Sequence, residues 1–331
     1  MSRCKLEEFI SYEQPAKYIV DSDQYDDSFE IPVLTAGKSF ILGYTDETNN
    51  IFDNLPVIIF DDFTTSVQFV DFPFKVKSSA MKLLKNTEQA DIKYCYYLLK
   101  YLQHTPENHK RQWLSTTSQK TVELPVIEEQ KNIVSKLDKI LEVIDNQNKQ
   151  LELLDEAIKA RFVEMFGEIE DCDKWESKIW NEVVTIKNGR DYKKVLVSNG
   201  GYPVVGTGGE IARASKYLCP ENTIVVGRKG SINNPMLMKE KFWNVDTAFG
   251  VIPNSDYLHY QYFYCFCKFY NFMKLNKATT LPSTTKADLL KIRINIPPLE
   301  LQNQFASFVE EIDKSRLLSN HSLFLIKSII F

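Results

Sequence analysis

The chain has 331 residues, 44% hydrophobic and 12% aromatic, with 25% charged side chains. That is apolar material for two ordinary domains and too much for a disordered tail. The net charge of −4 hides opposed regions: 13 Lys/Arg against 18 Asp/Glu over 1–126, 6 against 11 over 127–170, 18 against 11 over 171–297, and 3 against 4 over 298–331. A net +7 segment inside an acidic chain is one signature of a polyanion-binding face.

The six cysteines, Cys4, Cys95, Cys172, Cys219, Cys265 and Cys267, form no C-x-x-C pair and no Cys/His cluster of zinc spacing. Free thiols in a cytoplasmic protein are expected. No basic-then-apolar leader opens the chain. The most apolar stretch, YLHYQYFYCFCKFYNFM (257–273), carries His259, Gln261, Lys268 and Asn271. It is too short and too polar for a bilayer and reads as a buried amphipathic helix.

Taken in chain order, the features come twice. IPVLTAGKSF (31–40) is followed by a strand-like LPVIIF (55–60), an aromatic-rich FPFKV (72–76) and a helical IKYCYYLLKYL (92–102). The anchor LPVIEEQ (124–130) then opens a long helical pattern. The second series runs YPVVGTGGEI (202–211), NTIVVG (222–227), KFWNV (241–245), YQYFYCFCKFY (260–270) and the anchor IPPLELQ (296–302). Pro32 and Pro203 are offset by 171 residues and the anchors by 172. An internal repeat of α+β domains is the economical reading.

Each anchor leads into a helix, for which the prolines give an extended approach. Glu128 faces the positive end of the first helix. Ile133, Leu137, Ile140, Ile144, Leu151, Leu154, Ile158 and Met165 form a heptad-like seam, interrupted at Gln147 and Arg161. Gly167 is a natural stop. Residues 128–166 would make a rod of roughly 58 Å at 1.5 Å per residue, and a rod with one apolar seam needs a partner. In the second helix, from about Leu299, Phe305, Val309 and Ile312 recur at spacings of 4 and 3. An antiparallel helix pair is expected.

Catalytic motifs are scarce. VGTGGE (205–210) does not follow G-x-G-x-x-G, NNPML (233–237) lacks the second proline and aromatic of an amino-methyltransferase motif, and no P-loop occurs. His104, His109, His259 and His321 form no constellation. Asp61-Asp62, at the end of a strand-like run, is the one place where an acidic catalytic or metal role is open beside a turn or capping role.

The basic stretch GRKGS (227–231) follows an apolar run. Arg228, Lys229 and Ser231 between glycines suit close approach to phosphates or base edges. Lys187, Arg190, Lys193, Lys194, Arg213 and Lys216 add to it. The hydroxyl-rich KATTLPSTTK (277–286) offers Lys277, Thr279, Thr280, Ser283, Thr284 and Lys286. In the first half Asp61 could accept a hydrogen bond from cytosine N4, with Thr64 and Thr65 beside it. Lys75, Lys77, Lys82, Lys110, Arg111 and Lys120 would carry backbone contacts.

The plan of globular domain, anchor, long helix, then the same again resembles the DNA-specificity subunit of type I restriction–modification enzymes. The resemblance rests on LPVIEEQKNIVSKLDKILEVID (124–145), LELLDEAIKARFVEMFG (151–167), VIIFDDFTTSVQFVDFPFKV (57–76), GRKGS, WNVDTAFG (243–250) and IPPLELQNQFASFVEEIDKS (296–315). It implies two tandem α+β target recognition domains, 1–126 and 171–297. Two long helices, 127–170 and 298–331, would pair as an antiparallel coiled-coil spacer. It implies that double-stranded DNA is read as a bipartite asymmetric site. Two methyltransferase subunits and the restriction (nuclease–translocase) subunits would dock on residues such as Glu128, Gln130, Gln302 and the two seams. Catalysis, with S-adenosylmethionine, ATP and Mg, would belong to those partners. One departure is RLLSNHSLFLIKSIIF (316–331), which drops the charged heptad pattern and suits a shortened second helix. The rival reading is a two-domain protein-binding scaffold without DNA specificity.

Overall fold

The computed structural model describes residues 2–35, 39–106, 110–169, 174–278 and 280–330, with side chains for all of these but 2, 321 and 324–330. The chain divides into two compact units, Met1–Val143 and Ile144–Phe331.

The first unit holds β1 (Ser2–Lys5), β2 (Ile10–Glu13), β3 (Ile31–Leu34), β4 (Ile41–Thr45), β5 (Val57–Asp61), β6 (Val67–Val70), β7 (Lys75–Val76), β8 (Met81–Asn86), α1 (Ile92–Tyr101) and β9 (Thr121–Leu124). Its main sheet runs β2-β8-β5-β6 and its smaller one β4-β3-β7, while β1 pairs with β9. β5 is buried along its whole length. Ile58 and Phe60 face the helix side with Tyr94, Cys95, Leu99 and Trp113. Val57 and Ile59 face the other side, with Phe52 and Phe74. A strand with both faces covered reads as an unbroken apolar run, which explains PVIIF.

The second unit repeats the plan with β10 (Ser177–Ile179), α3 (Trp180–Val183), β11 (Val184–Asn188), β12 (Leu196–Val197), β13 (Tyr202–Gly206), β14 (Gly209–Ala214), β15 (Thr223–Gly227), β16 (Met236–Met238), β17 (Trp243–Asn244), β18 (Ala248–Pro253), α4 (Tyr260–Phe269), α5 (Lys286–Leu289) and β19 (Arg293–Asn295). The corresponding sheets run β11-β18-β15-β16 and β12-β14-β13-β17, with β10 paired to β19. Ile224 and Val226 face α4, and Val225 faces Val205 and Phe242. Even the irregularities repeat. The β3–β4 register shifts between Val33 and Leu34, and the β13–β14 register between Val204 and Val205, at the 171-residue offset of Pro32 and Pro203.

α2 (Ile127–Phe166) starts in the first unit and ends in the second, and α6 (Leu299–Ile330) follows β19. α2 ends as expected: the Gly167 amide donates to Val163 O at 2.8 Å, and Gly167 takes the left-handed conformation, φ 85°. α6 is helical to Ile330, so the departure at its end lies in composition. Within the second unit, Phe162 packs edge-on to Phe305 at 5.6 Å, and Arg316 bonds Asp155 at 2.8 Å. Later residues of α6 therefore meet earlier residues of α2, and the two helices run antiparallel there.

Of the seam residues, Ile133, Leu137, Ile140, Ile144, Leu151 and Leu154 are half-buried and Ile158 is buried. Beyond Ile158 the buried positions are Phe162 and Phe166, where the heptad reading had Met165. Here α2 lies against both α4 and α6. Phe162 stacks on Tyr262 at 5.4 Å and meets Phe269 at 5.5 Å. A helix wedged between two neighbours buries a broader stripe than a two-helix seam.

Candidate nucleic-acid interface

In the second unit, β11, β15 and β18 bring three chain segments to one end of the central sheet. The register pairs Asn188 with Phe249 and Gly227 with Ala248. Gly189-Arg190, Arg228-Lys229 and Asp246-Thr247 therefore leave the sheet side by side. The glycines before the two arginines are required by close approach. A Cβ on Gly189 would meet Val245 O at 1.7 Å, and one on Gly227 would meet Ser231 O at 2.7 Å.

The GRKGS turn is clamped from two sides. The Arg228 amide donates to Thr247 O at 2.8 Å. On the other side the Thr284 amide donates to Arg228 O at 3.0 Å and the Gly230 amide to Pro282 O at 2.9 Å. The Thr284 hydroxyl donates to Gly227 O at 2.8 Å. Lys229 and Ser283 form a β-bridge. The two stretches singled out in the sequence, GRKGS and KATTLPSTTK, are thus one structure. Lys229, Lys277, Ala278, Thr280, Leu281 and Ser283 line a depression between them. At the same sheet end the buried Asn244 donates to Lys187 O at 3.3 Å and Ala248 O at 3.1 Å, and accepts from Cys219 Sγ at 3.4 Å. Nothing in the sequence marked Asn244 as this tie.

The other candidates of this unit divide. Lys187, Arg190, Arg228, Lys229, Ser231 and Thr280 are exposed. Lys277 pairs with Asp288 at 3.0 Å, and Lys286 donates to Ile186 O at 2.9 Å. Thr284 is buried in the clamp, and Thr279 lies outside the described residues. Lys193, Lys194 and Lys216 are exposed beside β12 and β14, with Ser215 bonded to Val195 O. Arg213 is held by Glu210 at 2.7 Å.

In the first unit Lys75, Lys77, Lys82, Asp61, Thr64 and Thr65 face inward or are already paired, while Arg111 is exposed. Lys75 is 1% exposed. It forms an ion pair with Glu47 and donates to Asn49 O at 3.1 Å. Burial pushes the Glu47 carboxyl up, but Lys75 and the amides of Ser22 and Asp21 outweigh it and hold it below its ordinary value. Lys77 is ion-paired with Asp23. Asp61 accepts from the Phe63 amide at 2.8 Å and the Thr64 hydroxyl at 2.6 Å, closing a turn. Thr65, buried, donates to His104 O at 2.6 Å. Asp62 pairs with buried Lys82 at 3.0 Å and accepts from the Trp113 amide at 2.9 Å. The Asp-Asp pair therefore does turn and scaffold work. Among the described residues no cluster of His, Cys, Asp and Glu could hold a metal ion. Burial pushes the thiols of Cys95, Cys219 and Cys265 up to about 12, which leaves them inert. Cys172 and His109 lie outside the described residues, as does the side chain of His321.

The anchor glutamines are both 0% exposed. Gln130 Oε1 accepts from the Asp91 amide at 2.8 Å, and its Nε2 donates to Pro125 O at 2.8 Å and Gln89 O at 3.1 Å. Gln302 Oε1 accepts from the His259 amide at 2.7 Å, and its Nε2 donates to Pro297 O at 2.8 Å and Tyr257 O at 2.9 Å. Asp91 and His259 cap α1 and α4, so each glutamine locks the start of a long helix to the start of a domain helix. Glu128, on the first turn of α2, is exposed.

The family model of the type I restriction modification DNA specificity domain matches the chain twice, over residues 3–156 and 172–326. The chain belongs to this family. Its members supply specificity within the restriction–modification complex rather than catalysis. The chain is 46% identical over 146 residues to the type I restriction enzyme EcoR124I/EcoR124II specificity subunit of Escherichia coli. That match spans 42% of this chain and 36% of the relative, about a third of the relative's length. The crystal structure of a type I restriction–modification S subunit from M. genitalium superposes with a TM-score of 0.67 at 15% identity, over 99% of this chain and 93% of that one. This likeness shows a shared two-domain specificity-subunit fold. No helix among the described residues is long and apolar enough to cross a membrane.

Proposed function

We propose that the chain is the sequence-specific DNA-recognition subunit of a type I restriction–modification complex in the cytoplasm. Each unit reads one half of a split site on double-stranded DNA. The observation that carries this is the clamped Arg228-Lys229 turn beside Ser283, at a sheet end that also presents Arg190. Fixed cations with hydroxyls next to them are what phosphate and base-edge contacts need. The two units share a fold but not this surface: the first has Asp62 buried where the second has exposed Arg228. Divergent surfaces on one scaffold support an asymmetric site. α2 and α6 act as the spacer that sets the gap between half-sites. Gln130 and Gln302, expected among the docking residues, are 0% exposed and serve the interior instead. Exposed anchor residues such as Glu128 and the helix faces dock two methyltransferase subunits, and nuclease–translocase subunits complete the complex. S-adenosylmethionine, ATP and Mg belong to those partners. Mapping modified bases in host DNA with and without this chain tests the reading. A bipartite motif that vanishes with the chain is expected. Deleting one heptad within 140–160 should change the tolerated gap, and an unchanged gap removes the spacer role.

A further inference from the structure

Resting on that reading, we infer that Arg228 is a base reader, recognising a guanine through its O6 and N7, while Lys229 beside it holds a phosphate. The turn's backbone is fixed by Thr247 on one side and by Pro282 and Thr284 on the other, so the Arg228 side chain leaves from a defined point. Its guanidinium lies 5.9 Å from the ring centroid of Phe249, and Nη1 sits 3.4 Å from Asp246 O. Ring and carbonyl restrain the planar group but use little of its five-donor fork. Ion pairing occupies other arginines of this unit: Arg213 with Glu210, Arg161 with Glu164, and Arg316 with Asp155. Arg228 has no carboxylate within ion-pair distance among the described residues.

A phosphate contact asks only for a mobile positive charge, which Lys229 supplies next to the hydroxyl of Ser283. A restrained planar fork instead matches two parallel acceptors, and the guanine edge in the major groove offers them. The corresponding place in the first unit supports the assignment. The registers Phe60–Lys82 and Val226–Phe249 put Asp62 and Lys82 where the second unit has Arg228 and Phe249. There the pair is an interior strut, each partner 1% exposed. One position is structural in one unit and free to read bases in the other, so the guanine is read in only one half-site.

The test uses the chain assembled with its methyltransferase subunits and the motif read from modified host DNA. R228K keeps the charge and loses the fork; K229A removes only charge. For R228K the expected result is loss of discrimination at one guanine of one half-site, on the order of tenfold to hundredfold. All other positions should stay unchanged, and so should the salt slope of duplex binding. For K229A, binding should weaken alike on all sequences, with the slope falling by about one. An R228K motif identical to wild type, or a half-site motif without guanine, overturns the assignment while leaving the DNA-recognition reading intact. A wild-type complex that neither binds nor modifies duplex DNA overturns that reading and this assignment with it. Circular dichroism of both variants, matched to wild type, shows that the fold is retained.

Discussion

Gln130 and Gln302 stand 172 residues apart in sequence and make the same three hydrogen bonds, each inside its own unit. A buried side-chain amide that satisfies one backbone donor and two carbonyls cannot be replaced by an apolar group without orphaning all three. Gln130→Leu and Gln302→Leu should each cost about 2–4 kcal/mol. Amide hydrogen exchange should place each loss in the unit that carries the substitution. Denaturant unfolding within about 0.5 kcal/mol of wild type would mean the bonds are dispensable.

The buried lysines of the first unit give a second prediction. Lys82→Met should leave Asp62 as an uncompensated interior charge and cost about 3–5 kcal/mol. Lys75→Met strands Glu47 in the same way, while leaving the salt dependence of DNA binding unchanged. A shallower salt slope for Lys75→Met would assign this lysine to the DNA face after all.

Phe162 meets Phe166, Tyr262, Phe269 and Phe305. Phe162→Ala should cost about 3–5 kcal/mol and loosen α2 from α4 and α6. Met165→Ala, at the position the heptad reading favoured, should cost less because Met165 is only half-buried. Equal losses in urea titrations would restore the heptad register.

Asp155 makes a pH-dependent contribution. Burial pushes its carboxyl up, but Lys268 and Arg316 outweigh that and hold it below its ordinary value of 3.8. A depressed folded value means stabilisation that is complete above the ordinary value and lost as pH falls through the folded one. The pair is half-exposed, so Asp155→Asn should cost under about 1 kcal/mol at neutral pH. The gap between variant and wild type should close below pH 3.8. A gap that widens in acid would reverse the sign of the coupling.

Much of this was legible in the sequence, for identifiable reasons. Pro32 and Pro203 mark equivalent strands, and the anchors mark equivalent helix starts, because a repeated fold repeats its backbone requirements. The α2 seam could be read up to Ile158, because its apolar positions keep a heptad-like spacing that far. It failed at Phe162 because two neighbours widen the stripe. Lys75 and Lys82 were invisible as interior residues, since their partners Glu47 and Asp62 lie 28 and 20 residues away. The joining of Lys229 to Ser283 had no local signal either, because it depends on how a loop 54 residues later returns to the sheet end.

The central claim is tested most directly by binding to cognate duplex DNA across a salt series, with the methyltransferase subunits present. Log Kobs should fall steeply and linearly with log salt, and the Arg228→Ala, Lys229→Ala double variant should fall less steeply by about one, the share of the Lys229 phosphate contact. Salt-independent binding, or no binding to any duplex, would contradict it.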